Sequence, residues 1–443
     1  MMPLKLIAIL LAGLVLTASE RNTPAKERAQ VSDELRKRTG QGLRPPGEAP
    51  PARAPSLPPG VSLSEPLTEE AAVATALWNN AAFEAALSEL GVARADLVEA
   101  GLLRNPTLQV LFPVGPKPFE SVLQWPVEAL WQRPRRVAAA KINLEAVSQR
   151  VVQHGLDLIR DVRAAHTDLA LAERRAALLE QSRALLGRIA ELTRKRLEAG
   201  DISVLEASLP ELEARSAIEQ AERARREVDV VRERLRLWMG LRGDKTDLRA
   251  APPPELPAAP PEWPELLEAA LASRPDLRAA ELGVEAALKR ARWERSRALA
   301  LVAPLLSVKG VGTAGIRGGP GLAAELPALD WSQGKVSRAD AEVQRAAAGY
   351  RALRDRVEAE IREARARYAL AAASLGRLRE EILPAARTSV RLAEKAYADG
   401  EASYLFVLEA GRQIYDLELR EAEARAALRR AQAELERCVG RKS

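Results

Sequence analysis

The sequence predicts a mainly α-helical fold with a small β part, built from long coiled-coil helices in two structural repeats. Three observations carry this. Aromatic residues make up only 4 % of the 443-residue chain and charged residues 29 %, with Ala, Leu, Arg and Glu dominating its middle. That bias belongs to long helices rather than to a mixed globular enzyme. Next, the chain resembles itself at a fixed offset. Trp131 and Trp331, Ala139 and Ala339, Gly200 and Gly400, and Gly240 and Gly440 are each 200 residues apart, while "LWNNAAF" and "LASRPDL" match at an offset of 194. A constant offset marks a repeated structural unit. Finally, Val343, Tyr350, Val357, Ala364, Ala371 and Leu378 recur every seven residues. Ala347, Ile361, Tyr368, Leu375 and Ile382 fill the complementary row, with Arg354 the exception. A sustained seven-residue period implies left-handed coiled-coil packing.

The chain opens with "MMPLKLIAILLAGLVL" and "TAS". One lysine, a short apolar run and small residues read as a signal peptide over 1–19, too short to span a bilayer. No cysteine follows the run, so no lipid anchor is expected, and the mature chain should leave the cytoplasm. Residues 20–64 are polar and then proline-rich ("RPPGEAPPARAPSLPPG") and are expected to be disordered or extended. The first repeat is assigned to 65–240, a second proline-rich linker to 241–263, and the second repeat to 264–440.

Each repeat reads in the same order: helix, a short strand-like pair, a very long helix, a glycine turn, a helix. The long helices are expected over 132–199 and 331–399, where about 65 residues at ~1.5 Å each span roughly 100 Å. Pro384 should bend the second or free one of its carbonyls. The glycines of "RLEAGDISVLEA" and "AYADGEASYLFVLEA" should end one helix so that the next packs back on it.

The strand-like pairs rest on alternation. Leu108, Val110 and Phe112 alternate with Gln109 and Leu111, and Phe119, Leu123 and Trp125 lie in a run with Glu120 and Gln124 between them. Period two around a Pro/Gly turn reads as a β-hairpin. A weaker, glycine-rich counterpart covers 304–331. Two hairpins supply four strands. One chain cannot close a barrel with four, and an open sheet with an apolar face is a liability. Several chains giving four strands each could close one.

Catalytic chemistry is not written in the chain. His154 and His166 stand twelve residues apart within one long helix and read as surface or packing residues. Cys438 is the lone cysteine, and no Cys/His or Met cluster has metal-ligand spacing. No glycine-rich phosphate loop follows a strand. The net charge of +6 is spread over interleaved Arg and Glu, which read as solvated faces rather than a nucleic-acid surface. No enzyme activity, cofactor or metal site is expected.

Together these features resemble the TolC family of outer-membrane efflux ducts over about 65–440. The motifs that carry the resemblance are the duplicated helix order and the turns "EAGDISVLEA" and "YADGEASYLFVLEA". The stretch "LPALDWSQGKVSRADAE", 326–342, is similar to the P-x-x-(D/N)-x-x-Q-G segment of the heavy-metal (cobalt–zinc–cadmium type) branch. The resemblance implies a homotrimer in the outer membrane of a Gram-negative bacterium, with four strands per protomer in a twelve-stranded β-barrel above a periplasmic α-barrel. It implies a passive duct, with heavy-metal cations as one cargo class, working with a periplasmic membrane-fusion adaptor and an inner-membrane efflux pump. It casts Leu108, Val110, Phe112, Phe119, Leu123 and Trp125 as lipid-facing. It casts Gly200, Asp201, Ile202 and Ser203, with Gly400, Glu401, Ala402 and Ser403, as periplasmic tips for the adaptor. The pore constriction would draw on Glu206, Tyr397, Leu405, Phe406 and Glu409. The arginine of the family's tip is replaced by Ala402, so closure would rest more on Leu405 and Phe406. The alternative is a periplasmic coiled-coil adaptor or scaffold, which would carry its β-segments outside one coil rather than between helices in both repeats.

Overall fold

A computed structural model describes residues 25–45, 56–103, 105, 107–111, 120–126, 129–241, 243, 246–252, 254–257, 259, 262–298, 302–311, 316–324, 333–399, 401–402 and 404–441. The expected signal peptide lies outside them. The first repeat contributes helices α2 (Glu69–Asn79), α3 (Ala81–Gly101), α4 (Ala129–Glu198) and α5 (Val204–Met239), with strands β1 (Thr107–Leu111) and β2 (Glu120–Pro126) between α3 and α4. The second contributes α6 (Trp263–Ser273), α7 (Pro275–Ala298), β3 (Val302–Val311), β4 (Ile316–Ala324), α8 (Gln333–Arg377), α9 (Leu383–Ala398) and α10 (Tyr404–Val439). The repeats are repeats of topology. The compact units cut across both: one gathers 85–153 and 275–356 with the start of the chain, the other 32–84, 154–274 and 357–443.

In the first unit the four strands form one antiparallel sheet in the order β1-β2-β3-β4. The centre of the sheet joins the repeats, with Glu120 opposite Val311 and Trp125 opposite Leu306. In the outer pair Leu108 lies opposite Leu123 and Val110 opposite Ser121. The register therefore puts Leu108, Val110, Leu123 and Trp125 in one alternation class. Phe112 and Phe119 lie outside the described residues. The helices of this unit are held by a small core of Ile142, Ala146 and Leu282, with Ala286 packed against it.

The second unit holds the larger core. The heptad rows are buried where they enter it: Val357, Ile361, Ala364, Tyr368, Ala371, Leu375 and Leu378 are all inside, while Arg354 is exposed. The long second helix does not run unbroken from 331 to 399. A π turn, Leu378–Ile382, separates α8 from α9 just ahead of Pro384. Proline lacks an N–H and its ring crowds the carbonyl four residues back, here that of Glu380, and the wider turn accommodates both. The extra residue rotates the apolar row out of phase, which leaves Ile382 exposed although it continues the heptad.

The expectation of disorder over 20–64 is corrected in part. Ala25–Thr39 form a helix, α1, with Val31 and Leu35 fully buried. Arg38 donates to the carbonyls of Ser273 and Gly440. Arg44 is buried, lies over the Trp78 ring at 5.7 Å and donates to the Trp78 carbonyl at 3.1 Å. The composition suggested too little apolar surface, yet two well-placed side chains and two arginines that cap carbonyls suffice.

The matched dipeptides and glycines of the sequence meet in space. Gly240 ends α5 at φ +69°, and a Cβ there would stand 2.3 Å from the Asn79 carbonyl oxygen at the α2–α3 joint. Gly440 ends α10 on the corresponding α6–α7 joint, against Ser273 and Arg274. The Pro-rich linker is also packed. Leu67 and Ala250 form a parallel bridge, Leu248 is buried, and the Tyr368 hydroxyl donates to the Pro257 carbonyl at 2.6 Å.

Candidate functional site

The two helix reversals share one backbone hydrogen bond, and the first is closed by a glycine. At the first, Gly200 takes φ +80°, the Gly200 N–H donates to the Leu197 carbonyl (3.0 Å) and the Asp201 N–H to the Arg196 carbonyl (2.9 Å). This is the glycine-terminated helix end that satisfies the last free carbonyls. At the second, the Glu401 N–H reaches the Ala396 carbonyl at 2.8 Å, the counterpart 200 residues on. Gly400 and Ser403 lie outside the described residues.

After the turn the two tips diverge. Ser203 is the N-cap of α5 and forms a capping box with Glu206. The Ser203 N–H donates to Glu206 Oε2 at 2.7 Å, and the Glu206 N–H donates to Ser203 Oγ at 3.3 Å. The bond from the Ser203 backbone, and then its hydroxyl, holds the Glu206 carboxyl below the usual range. The serine-x-x-glutamate signature of this cap stands in the sequence as Ser203-Val-Leu-Glu206, and a search for capping boxes would have found it. Position 406 carries phenylalanine instead, so the second tip cannot repeat the box.

The other residues expected at the constriction are not gathered by any contact. Phe406 is 66 % exposed and Tyr397 48 % exposed. Glu409 is exposed and makes no ion pair among the described residues. For Leu405 the helical backbone alone is described. Asp201 and Glu401 are exposed, Ile202 and Ala402 half-buried. Beside the first tip, Val204, Leu205, Leu209 and Leu212 are all more than half exposed, an apolar strip that periodicity alone did not single out. Farther along, α5 and α10 are tied by Arg412 to Glu213 at 3.2 Å, and α4 and α10 by Arg174 to Glu418 at 3.2 Å.

Between the tips and the helix joints lies a buried ionic cluster. Arg163 pairs with Glu69 at 2.9 Å and with Glu436, and Arg429 grips both oxygens of Glu69 at 2.6 and 2.5 Å. Gln432 donates to the second oxygen of Glu436 at 2.8 Å. Here the reading of interleaved Arg and Glu as solvated faces does not hold, because mutual pairing offsets the loss of water. His166 is buried beside the cluster with Nε2 2.7 Å from the Leu67 carbonyl, and burial lowers its pKa. His154 is exposed.

Residues 266–441 match the family model described as outer membrane efflux protein. The second repeat is thus similar to an outer membrane efflux protein domain. That match takes in α6 to α10 and the strands between them. The chain is also 25 % identical over 382 residues to the cobalt-zinc-cadmium resistance protein CzcC of Cupriavidus metallidurans, covering 85 % of this chain and 90 % of that protein. Two solved structures share the fold across both repeats. The channel CusC aligns with a TM-score of 0.69 at 17 % identity, over 89 % of this chain and 99 % of its own. The outer membrane protein VceC of Vibrio cholerae aligns with a TM-score of 0.69 at 18 % identity, over 84 % and 96 %.

Proposed function

We propose that this chain is the outer-membrane duct of a tripartite efflux system, passively conducting substrate from periplasm to exterior. The observation that carries the reading is the single sheet built from the hairpins of both repeats, β1-β2-β3-β4, flanked by long helices and ending in two open edges, β1 and β4. Open edges need strand partners, and in a membrane only closure supplies them. Three copies would give twelve strands. The adaptor or scaffold alternative is disfavoured by the same observation, since the strands lie between helices in both repeats.

In this reading the chain performs no chemistry and binds no cofactor. An inner-membrane pump supplies the energy, and a periplasmic adaptor docks on the exposed turns at 200–203 and 400–403. The similarity to a cobalt-zinc-cadmium resistance protein supports divalent metal cations as cargo. Phe406 and Glu409 narrow the periplasmic end, and Leu108, Val110, Leu123 and Trp125 belong to the lipid-facing class.

Fractionation tests this directly. The protein should appear in the outer membrane as a trimer in detergent that dissociates on heating. Recovery as a soluble periplasmic monomer would overturn the duct. A deletion strain profiled against cobalt, zinc, cadmium, bile salts and dyes identifies the cargo class, and unchanged metal sensitivity would remove the metal reading.

A further inference from the structure

In the first unit, α4, α7 and α8 line an open cavity of about 920 Å³. The volume lies within the range of organic-ligand pockets, roughly 300–1,000 Å³. Its lining is bimodal. Ala139, Ala146, Ala279, Gly283 and Ala286 keep part of it short and apolar, and Trp293 also lines it. Arg135, Arg136, Arg150, Arg290 and Arg345 supply five guanidinium groups, against the two carboxylates of Asp276 and Glu342.

Those carboxylates are already engaged. Glu342 pairs with Arg338 at 3.1 Å and with Arg290 at 3.6 Å. Asp276 accepts from the Leu277 N–H at 2.8 Å. Arg136 donates one Nη to the Leu102 carbonyl at 3.0 Å, and its buried Nε has no acceptor. Arg150 and Arg345 make no ion pair among the described residues, although both border the cavity. A concave lining with an excess of one sign of charge beside apolar surface concentrates the opposite charge. Guanidinium groups match planar acid groups, carboxylates and sulfonates above all, through paired N–H donors.

We infer that this cavity binds an amphipathic organic anion, with its apolar body against the alanines and its acid group paired with arginines of the lining. The inference goes beyond conduction: it concerns a binding site and stands or falls by binding, whatever the duct carries.

The test uses the full-length protein in a non-ionic detergent and equilibrium dialysis with 2-naphthalenesulfonate and 2-naphthylmethylammonium, which share a ring and differ in the sign of charge. The sulfonate should bind saturably, at least about tenfold more tightly than the ammonium ion, and should weaken as salt rises. The double variant Arg150→Glu/Arg345→Glu should lose about tenfold or more in sulfonate affinity. Both side chains are exposed, so thermal midpoint and far-UV circular dichroism should stay as in the parent. If charge reversal blocks folding, Arg150→Gln/Arg345→Gln must still weaken the sulfonate several-fold. Equal affinity for the two ions, no saturable binding, or unchanged affinity in the Gln variant would each overturn the inference. Absence of binding is also what a neighbouring copy filling the cavity would produce, and it counts against the site equally. None of these outcomes bears on outer-membrane location, which fractionation decides separately.

Discussion

Gly240 is the residue where local conformation and packing coincide. Its φ of +69° lies in the left-handed region, and the Asn79 carbonyl occupies the place a Cβ would need. Substitution costs about 1 kcal/mol for the conformation and roughly 1–3 kcal/mol for the overlap. Gly240→Ala should therefore lower the thermal midpoint well below that of Gly440→Ala, where the nearest atoms stand 3.4 Å away. Equal effects of the two changes would contradict the packing argument. His166 predicts a pH dependence. Burial is the first cause of its lowered pKa, so the folded state holds it neutral. Below the unfolded value of about 6.5 the unfolded chain takes up a proton that the folded chain resists. The stability tied to His166 is full above that pH and declines as pH falls through it. Burial raises the Glu173 carboxyl, which acts in the opposite sense. The comparison of parent with His166→Gln isolates the histidine: the variant should lose less thermal stability between pH 7.5 and 5.5. Cys438 is buried with its thiol pushed up to about 12, chiefly by desolvation, so it should resist alkylation until the fold opens.

At the scale of elements, the two reversals share the bond from residue 201 or 401 back to residue 196 or 396, while their sequences differ where the next helix begins. Glu206, at the third position of α5, closes the capping box with the N-cap Ser203. Glu206→Ala should loosen the first tip, seen as faster amide exchange in the first turn of α5. Phe406, exposed at the matching place of the second tip, has no such local duty. If it lines the constriction, Phe406→Ala should raise single-channel conductance, while Glu206→Ala changes it little. Unchanged conductance in Phe406→Ala and Glu409→Ala alike would place the constriction elsewhere. In the proposed duct, Gly400→Val should impair export, with the protein still reaching the outer membrane. The π turn before Pro384 shows the same economy of local causes, since one missing N–H resets the phase of the whole following helix.

For the whole molecule, the proposed assembly rests on the sheet. Val110 lies opposite Ser121 in the outer pair, in the alternation class of Leu108, Leu123 and Trp125. If that class faces lipid, Val110→Arg places a charge in hydrocarbon at a cost of ~2–4 kcal/mol near mid-bilayer. Heat-sensitive trimers should become scarce in the outer membrane. Normal assembly of Val110→Arg would mean that the class faces the lumen or that the strands do not span.

The duplicated helix order, the glycine reversals, the paired hairpins and the buried heptad rows were legible in the sequence. Each is encoded in the order of the letters, by a repeat, a period, a turn residue or a missing N–H. Position 206 shows the limit of that reading: its capping box was present in the letters, while the resemblance drew attention to a pore. What only the tertiary structure decided involves partners far apart in the chain. It paired β2 with β3, and so made one sheet from two hairpins. It seated Gly240 on Asn79 and Arg38 on Ser273 and Gly440, and gave α1 a place to bury Val31 and Leu35. It gathered Glu69, Arg163, Arg429 and Glu436 out of water. Local periodicity states which face of an element is apolar. It does not state which distant element covers that face, or which charge meets its opposite, because both depend on how the chain closes on itself.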